Sequence, residues 1–204
     1  MGSSTPRDEL AELLTRPALE VGPRILGSVF RVGDVAVRLT EVEAYHGQGQ
    51  DPGSHAHRGR TPRTESMFAE GGTLYVYLSY GIHRCVNIVC GPEGWASGLL
   101  LRAGEVVEGV DVARSRRPSA RSDAELAKGP GRLGSALGIG LDDDGSRLGD
   151  GRSSLELPVA PVGQVLTGPR VGVSGRAGTD EFPWRFTLAG EPSVSTWRPA
   201  VRRG

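Results

Sequence analysis

A strand-like run in the first quarter of the chain ends in two carboxylates and an aromatic side chain. Its odd-numbered residues form one face, which changes from apolar to acidic and aromatic, as expected where a strand runs out of a core into a cleft. A carboxylate beside an aromatic ring could act there as a general base. The pattern alone is more typical of a solvent-facing glutamate, and it does not choose between the two acids. The face comprises Val35, Val37, Leu39, Glu41, Glu43 and Tyr45.

Three of the four tyrosines fall within six residues, at positions 75, 77 and 80. Tyr75 and Tyr77 share one face of a predicted strand, and Tyr80 precedes Gly81 at the tip of a predicted hairpin. Ordinary aromatic packing on a strand would account for the first two. A large aromatic at an exposed tip is not explained by core packing. The alternative is a slot for a flat base with a wedge beside it.

Two polar residues interrupt apolar strands further along the chain. Arg102 lies within the run 98–103, and a buried arginine needs a partner, for which Glu41 and Glu43 are candidates. It forms a structural ion pair or orients a water at a catalytic acid. Asn87 lies between Cys85 and Cys90, where its amide either is satisfied structurally or reads a purine edge.

The polar stretch 46–66 has no hydrophobic period, and a loop of this length in a compact domain is functional or disordered. A metal-dependent hydrolase using its histidines is one hypothesis, but they do not form a full zinc ligand set, and no metal is predicted. The segment from His55 to Arg63 contains three arginines and no acid, which suits phosphate contact. The histidines are His46, His55 and His57, and the arginines are Arg58, Arg60 and Arg63.

Taken in order, these segments and several later ones resemble the alkyladenine (3-methyladenine or N-methylpurine) DNA glycosylase family. The resemblance runs from about residue 18 to residue 197, which is nearly the whole chain. The matching segments are 41–45, 54–56, 58–63, 67–68, 72–81, 85–87, 100–103, 128–130, 169–173 and 183–186.

The resemblance implies a hydrolase that needs no cofactor. Glu43 matches the general base that activates water, and Arg102 matches the arginine that holds this water beside a main-chain carbonyl of 170–173. Lys128 is the only lysine and is remote from these segments, so a Schiff-base mechanism is not expected and hydrolysis should stop at an abasic site.

The same resemblance implies roles in base and DNA binding. Aromatic walls stack on the flipped base, an amide discriminates against normal guanine, and a tyrosine wedge enters the minor groove. These are Tyr45, His55 and Tyr77 for the walls, Asn87 for the amide, Tyr80 for the wedge, and Arg58, Arg60 and Arg63 for further DNA contact. The sequence departs from many bacterial members at His57, Thr64 and Arg84, which bears on substrate preference more than on catalysis.

The net charge is zero, with 24 basic and 24 acidic residues, which by itself disfavours nucleic-acid binding. We therefore expect the arginines of 58–63 and 114–121, with Arg202 and Arg203, to concentrate on one face around Tyr80. The two cysteines are expected as buried free thiols of a cytoplasmic protein, nucleoid-associated when bound to DNA. No membrane segment is expected, and the partner is double-stranded DNA bound by a monomer.

We predict one compact α+β domain with a curved, mostly antiparallel sheet core and short peripheral helices, in keeping with 31 glycines and 14 prolines. Residues 1–17 form a flexible start and a short helix over 8–15, residues 18–197 the glycosylase domain, and residues 198–204 a basic tail. A further helix is predicted at 132–137. Strands are predicted within 24–45, at 74–81, 85–90 and 98–103, and around 155–166, 168–174 and 184–189.

The predicted function is a monofunctional glycosylase that removes alkylated or deaminated purines from duplex DNA. The substrates implied are 3-methyladenine, 7-methylguanine, hypoxanthine and ethenoadenine. The alternative is a non-catalytic nucleic-acid-binding β module in which Glu43 is structural. Convergence of Glu43 and Arg102 on one water-sized space beside the tyrosines would distinguish the two.

Overall fold

A computed structural model describes residues 5–200. Arg202 and Arg203, which are expected to join the arginines around Tyr80, lie outside the described residues. Four α-helices and nine strands make up most of the regular structure of the described part. The helices are α1 (Pro6–Leu14), α2 (Ala18–Ile25), α3 (Val110–Arg116) and α4 (Pro130–Leu137). The strands are β1 (Val29–Val32), β2 (Val35–Tyr45), β3 (Leu74–Ser79), β4 (His83–Val89), β5 (Gly98–Glu108), β6 (Ala127–Lys128), β7 (Ser153–Glu156), β8 (Val165–Gly168) and β9 (Arg185–Leu188).

The strands form one sheet in the order β3-β4-β5-β2-β1-β7, with β6 paired to β5, β9 to β2 and β8 to β9. Every pairing is antiparallel. The α+β class with a mostly antiparallel sheet is thus confirmed. No helix among the described residues is long and apolar enough to cross a membrane.

The sheet has a strict division between its two faces near the centre. On β3, Leu74 and Val76 pack in the main hydrophobic core, whereas Tyr75 belongs to a second cluster on the other face. On β5, Leu99 and Leu101 likewise enter the main core. Because side chains alternate along a strand, the residues between these positions are collected on the second face.

A β-bulge in β2 decides which face receives its acidic end. The register of β2 against β5 shifts between Leu39 and Val42. Val37 and Leu39 enter the main core before the shift, and Val42 and Ala44 enter it afterwards. The predicted continuous odd-numbered face is therefore wrong, because the extra residue of a bulge reverses the alternation. The reversal turns the side chain of Glu43 away from the main core.

Several segments in the first third of the chain differ from the predicted secondary structure. Helix α1 begins at Pro6, because Thr5 and Asp8 form a capping box. Helix α2 was missed, although Ala18, Val21 and Ile25 form its buried face, and residues 24–25 are helical rather than extended. The loop 46–66 runs into a 3₁₀ helix over Pro62–Phe68.

Two predicted strands near the C-terminus are wrong in extent. The stretch 155–166 is extended only at its two ends, in β7 and β8, because Pro158 and Pro161 between them cannot donate ladder hydrogen bonds. Residues 169–174 form a turn instead of a strand, with Gly172 at a φ of 69°. This turn lies over the sheet beside Glu43. The predicted hairpin of β3 and β4 and the strand β9 are confirmed.

Candidate active site

A cavity of about 480 Å³ opens on the second face of the sheet. Its floor is built by alternate residues of four strands, and its walls by the loop 52–55, the turn 171–174 and the start of α4. The volume lies in the range of small-molecule sites. The floor residues are Tyr45 from β2, Tyr75, Tyr77 and Ser79 from β3, Cys85 and Asn87 from β4, and Leu100 and Arg102 from β5.

Glu43 is completely buried behind the cavity lining, where it contacts the lining residues Tyr45, Arg102 and Val171. The backbone N–H of Val171 donates to its Oε1 at 2.6 Å, and the hydroxyl of Tyr45 donates to its Oε2 at 3.0 Å. The Arg102 guanidinium lies 3.4 Å from Oε1 and 3.5 Å from Oε2. Burial raises the pKa of the carboxyl above its ordinary value, although Arg102 and the Val171 N–H oppose the rise. A carboxylate in this state is a stronger proton acceptor than an exposed one.

Arg102 is shared between the two acids of β2. Its Nε donates to Glu41 Oε1 at 2.9 Å, while its contacts with Glu43 are longer. Both acids are fully buried and neither lines the cavity, but Glu43 contacts two more of its lining residues, Tyr45 and Val171, whereas Glu41 contacts Arg185 and Ser195. Burial raises the pKa of Glu41, yet Arg102 and Arg185 outweigh this and the net pKa lies below the ordinary value. The structure thus distinguishes two acids that the sequence pattern could not tell apart.

Aromatic rings occupy the sides of the cavity. The His55 ring meets Tyr77 edge-on, with centroids 4.6 Å apart, and its Nδ1 lies 3.0 Å from the Tyr75 hydroxyl. Tyr75 and Tyr77 stack at 5.5 Å. The Arg170 guanidinium lies over the Tyr45 ring, 4.5 Å from its centroid. The three predicted wall residues, Tyr45, His55 and Tyr77, are therefore brought together around one space.

Asn87 is buried on the floor, where its amide nitrogen donates to the Tyr75 carbonyl at 3.0 Å. This hydrogen bond fixes the orientation of the amide relative to the cavity. The side chain is both structurally satisfied and exposed to the cavity, so the two readings of Asn87 left open by the sequence are compatible.

Tyr80 lies at the tip of the β3–β4 hairpin with 82% of its surface exposed. Its φ of 52° makes it the one described non-glycine residue with a positive φ, and Gly81 follows at 74°. A bulky residue in this region costs about 1–2 kcal/mol. Ile82 beside it is also 70% exposed. The hairpin therefore presents two large apolar side chains to solvent at the mouth of the cavity.

The predicted DNA-binding arginines have different surroundings. Arg63 lies 5.8 Å from the centroid of the Tyr77 ring, at the cavity, and Arg58 is exposed. Arg60 is paired with Glu65 at 2.7 Å and lies over the Phe68 ring. Because Glu65 compensates its charge, Arg60 is less available for phosphate contact than the acid-free segment 55–63 suggested.

The cluster 114–121 is partly engaged within the protein as well. Arg114 is paired with Asp123, and Arg116 donates to the Ala136 carbonyl at 3.0 Å. The concentration of arginines around Tyr80 stays a prediction.

The three histidines of the loop do not converge. His46 packs between Trp95 and Trp184, whereas His55 packs against the cavity tyrosines. Within residues 5–200, no three His, Cys, Asp or Glu side chains form a group that could hold a metal ion. Cys85 and Cys90 are free and buried, as expected.

The three positions at which the sequence departs from many bacterial members lie in different surroundings. Thr64 is buried, and its hydroxyl oxygen accepts a hydrogen bond from the Thr61 N–H at 2.9 Å, which closes the start of the 3₁₀ helix. Arg84 is exposed on β4 opposite Leu78 in the hairpin. His57 is half-buried in the loop, and nothing in its contacts explains the choice of histidine.

Sequence reasoning missed a buried ion pair behind the cavity. Arg170 and Asp51 are both fully buried, with guanidinium-to-carboxylate distances of 2.6 and 2.7 Å. Arg170 also donates to the carbonyls of Ala44 and Ala177. It anchors the turn whose next residue, Val171, donates to Glu43. The partners are 119 residues apart, and no local pattern links them.

A family model and several known proteins match most of the chain. The family model described as methylpurine-DNA glycosylase (MPG) matches residues 12–192. A protein of Nocardia farcinica is 54% identical over 186 residues, covering 88% of this chain and 86% of the relative. A protein of Leifsonia xyli subsp. xyli is 52% identical over 190 residues, covering 89% and 88%.

A third relative, from Streptomyces avermitilis, is 49% identical over 200 residues and covers 94% of this chain and 92% of its own. The names of all three relatives contain the words "3-methyladenine DNA glycosylase". Both the family match and the relatives span most of the chain. The chain belongs to the methylpurine-DNA glycosylase family.

Proposed function

We propose that this chain is a monofunctional DNA glycosylase that flips damaged purines out of duplex DNA and hydrolyses their N-glycosidic bond. The observation that carries the proposal is Glu43, a buried carboxyl group in contact with Arg102, Tyr45 and Val171, three residues that line an aromatic cavity. The substrates we infer are 3-methyladenine, 7-methylguanine, hypoxanthine and ethenoadenine. The glycosylase domain spans residues 18–197 and acts as a monomer on DNA in the cytoplasm.

In the proposed reaction, Glu43 takes a proton from a water molecule whose oxygen attacks C1′ of the sugar. The bond from C1′ to the purine nitrogen breaks, and its electron pair leaves with the base. Positive charge builds on the sugar as the bond opens, and a nearby carboxylate stabilises it. An alkylated purine that is cationic before cleavage leaves as a neutral base, and so needs no proton from the enzyme. A neutral lesion such as hypoxanthine leaves as an anion, which takes up a proton from solvent.

The aromatic cavity supplies the affinity for such a base. A cationic purine stacked against Tyr45 or Tyr77 gains a cation–π contribution of about 2 kcal/mol when water is excluded. Lys128 donates its ammonium group to the Pro192 carbonyl at 2.7 Å and does not line the cavity. This supports hydrolysis that stops at an intact abasic strand.

Release of free base is the direct test. Duplexes with one lesion each, and an undamaged duplex, are incubated with the protein without added metal, and free base and strand integrity are measured. Release of a methylated base with an intact abasic strand supports the proposal. Tight binding to every lesion duplex without release would instead favour the nucleic-acid-binding module, in which Glu43 is structural.

Tyr80→Gly should slow base release from duplex DNA without lowering the stability of the fold. Glycine tolerates the positive φ, so the free energy of unfolding should stay the same or rise by about 1 kcal/mol. Base release from duplex DNA should fall about 10- to 100-fold, since stacking of one base on an aromatic is worth about 1–3 kcal/mol. Denaturant unfolding and single-turnover release measure the two effects.

A matched control for Tyr80→Gly is Val159→Gly, at a fully exposed position outside the cavity. It should leave base release unchanged. Because a wedge acts on a base pair, the loss caused by Tyr80→Gly should be much smaller on a single-stranded lesion substrate. An equal loss on both substrates would contradict the wedge role.

Asn87→Ala should weaken discrimination against undamaged guanine. The amide is fixed by the Tyr75 carbonyl, and its removal opens room for a substituent on the purine edge. We expect the ratio of 7-methylguanine to guanine release to fall about tenfold, which corresponds to about 1.4 kcal/mol. The ratio is measured on duplexes with either base at one position. An unchanged ratio with a normally folded variant would remove Asn87 from the specificity determinants.

A further inference from the structure

Charged side chains from three neighbouring strands meet around Glu43. Glu41 and Glu43 come from β2, Arg102 from β5 and Arg185 from β9. Both glutamate side chains are fully buried, and the side chains of Arg102 and Arg185 are 8% and 12% exposed. The cluster holds two acids and two bases, so it is neutral only when both glutamates are ionised.

The four groups are arranged in a chain of contacts. Arg185 Nε donates to Glu41 Oε1 at 2.8 Å, and Arg102 Nε donates to the same oxygen at 2.9 Å. Arg102 then reaches Glu43 at 3.4 Å. The backbone N–H and the hydroxyl of Ser195 also donate to the Glu41 carboxylate, at 2.7 and 2.9 Å. Glu41 therefore has four donors at hydrogen-bond distance, whereas Glu43 has two and shares Arg102 at longer range.

We propose that Glu41 and Arg185 are positioning residues that set the charge state of Glu43 through the shared Arg102 guanidinium. The inference rests on the proposed function only in taking Glu43 as the general base. The positive charge of Arg185 compensates the negative charge of Glu41. The charge of Arg102 therefore remains available to stabilise ionised Glu43. Without Arg185, one guanidinium would face two buried carboxylates, and the acid with fewer donors, Glu43, would take up a proton. Without the charge of Glu41, Arg102 would act on Glu43 alone.

Other ionisable groups near Glu43 do not disturb this balance. Burial raises the pKa values of the Tyr45, Tyr77 and Cys85 side chains, so these stay neutral at physiological pH. Arg170 is compensated by its own partner, Asp51. Changes in charge at Glu43 therefore follow from Glu41, Arg102 and Arg185.

The test is the pH dependence of base release under single-turnover conditions. Release rises with pH as Glu43 loses its proton, so the midpoint of this acid limb follows the pKa of Glu43. Arg185→Gln removes positive charge and should move the midpoint up by about one pH unit or more. Glu41→Gln removes negative charge and should move it down. A merely structural role would not shift the midpoint in opposite directions.

Two further variants serve as controls. Arg185→Lys keeps the charge and should return the midpoint toward that of the wild type. Arg31→Gln removes one guanidinium from the same sheet, where Arg31 is paired with Glu108 outside the cluster, and should not move it. The carboxyl of Glu43 can also be titrated directly by ¹³C NMR, with its signal assigned from Glu43→Gln. This measurement does not depend on catalysis.

The outcomes separate the two proposals. No base release by the wild type would refute the proposed function, while the NMR titration would still report the coupling. An active wild type whose midpoint and titration do not respond to Arg185→Gln would overturn the inference, as would shifts of the same sign in both variants. If Glu41→Gln does not fold, the comparison of Arg185→Gln with Arg185→Lys decides.

Discussion

Glu43→Gln should lower the single-turnover rate of base release by about 10²- to 10⁴-fold, the usual contribution of a general base. Glutamine has the same shape, and its carbonyl oxygen can still accept the Val171 N–H. It cannot take a proton from water. The measurement is release of 3-methyladenine or 7-methylguanine from a single-lesion duplex with enzyme in excess.

Binding and folding should survive this substitution. Arg102 keeps its hydrogen bond to Glu41, so no guanidinium is left without a carboxylate. The variant should bind lesion-containing duplex with nearly the wild-type Kd. Glu105→Gln, at an exposed acid on β5 that pairs with Arg38, is the matched control and should retain full activity. Base release by Glu43→Gln at the wild-type rate would mean that another group activates the water.

Asp51→Asn should destabilise the fold by about 3–5 kcal/mol, because it leaves the Arg170 guanidinium buried without its counter-charge. Both partners have no exposed surface, and Arg170 connects the end of β2, the loop at Asp51 and the 3₁₀ helix Gly175–Gly178. Urea unfolding measures the loss. The rate of base release should fall too, since the turn that carries the Val171 N–H is anchored by Arg170.

A double-mutant cycle distinguishes a specific pair from general disruption. Asp51→Asn combined with Arg170→Gln should cost much less than the sum of the two single changes, with a coupling of about 1–3 kcal/mol. The exposed pair Arg147–Glu70 is the comparison and should couple by no more than about 1 kcal/mol. Additive costs at Asp51 and Arg170 would contradict the anchoring role.

Much of the site could be read from residue types and order. The resemblance of the segments around Glu43, Tyr77 and Arg102 named the family to which the chain belongs. Strand alternation placed Tyr75 and Tyr77 on one face, and the hairpin tip at Tyr80 and Gly81 is confirmed. These features depend on residues that are close in sequence, where period and turn chemistry are decisive.

The same local rules failed wherever a distant contact decided the backbone. Periodicity placed Glu43 on the same face of β2 as Val37 and Leu39, and only the pairing with β5 shows the bulge that puts it on the other face. The segment 168–174 reads as a strand, yet Arg170 turns inward to meet Asp51.

What the sequence by itself determined is the set of chemical groups and their order along the chain, because residue types, strand period and hairpin turns are local properties. Only the tertiary structure decided which acid contacts the cavity residues Tyr45 and Val171. Glu41 and Glu43 lie two residues apart on one strand, on either side of Val42. They differ because Arg185 and Ser195, both remote in the chain, donate hydrogen bonds to Glu41, whereas Glu43 accepts from the Val171 N–H and the Tyr45 hydroxyl.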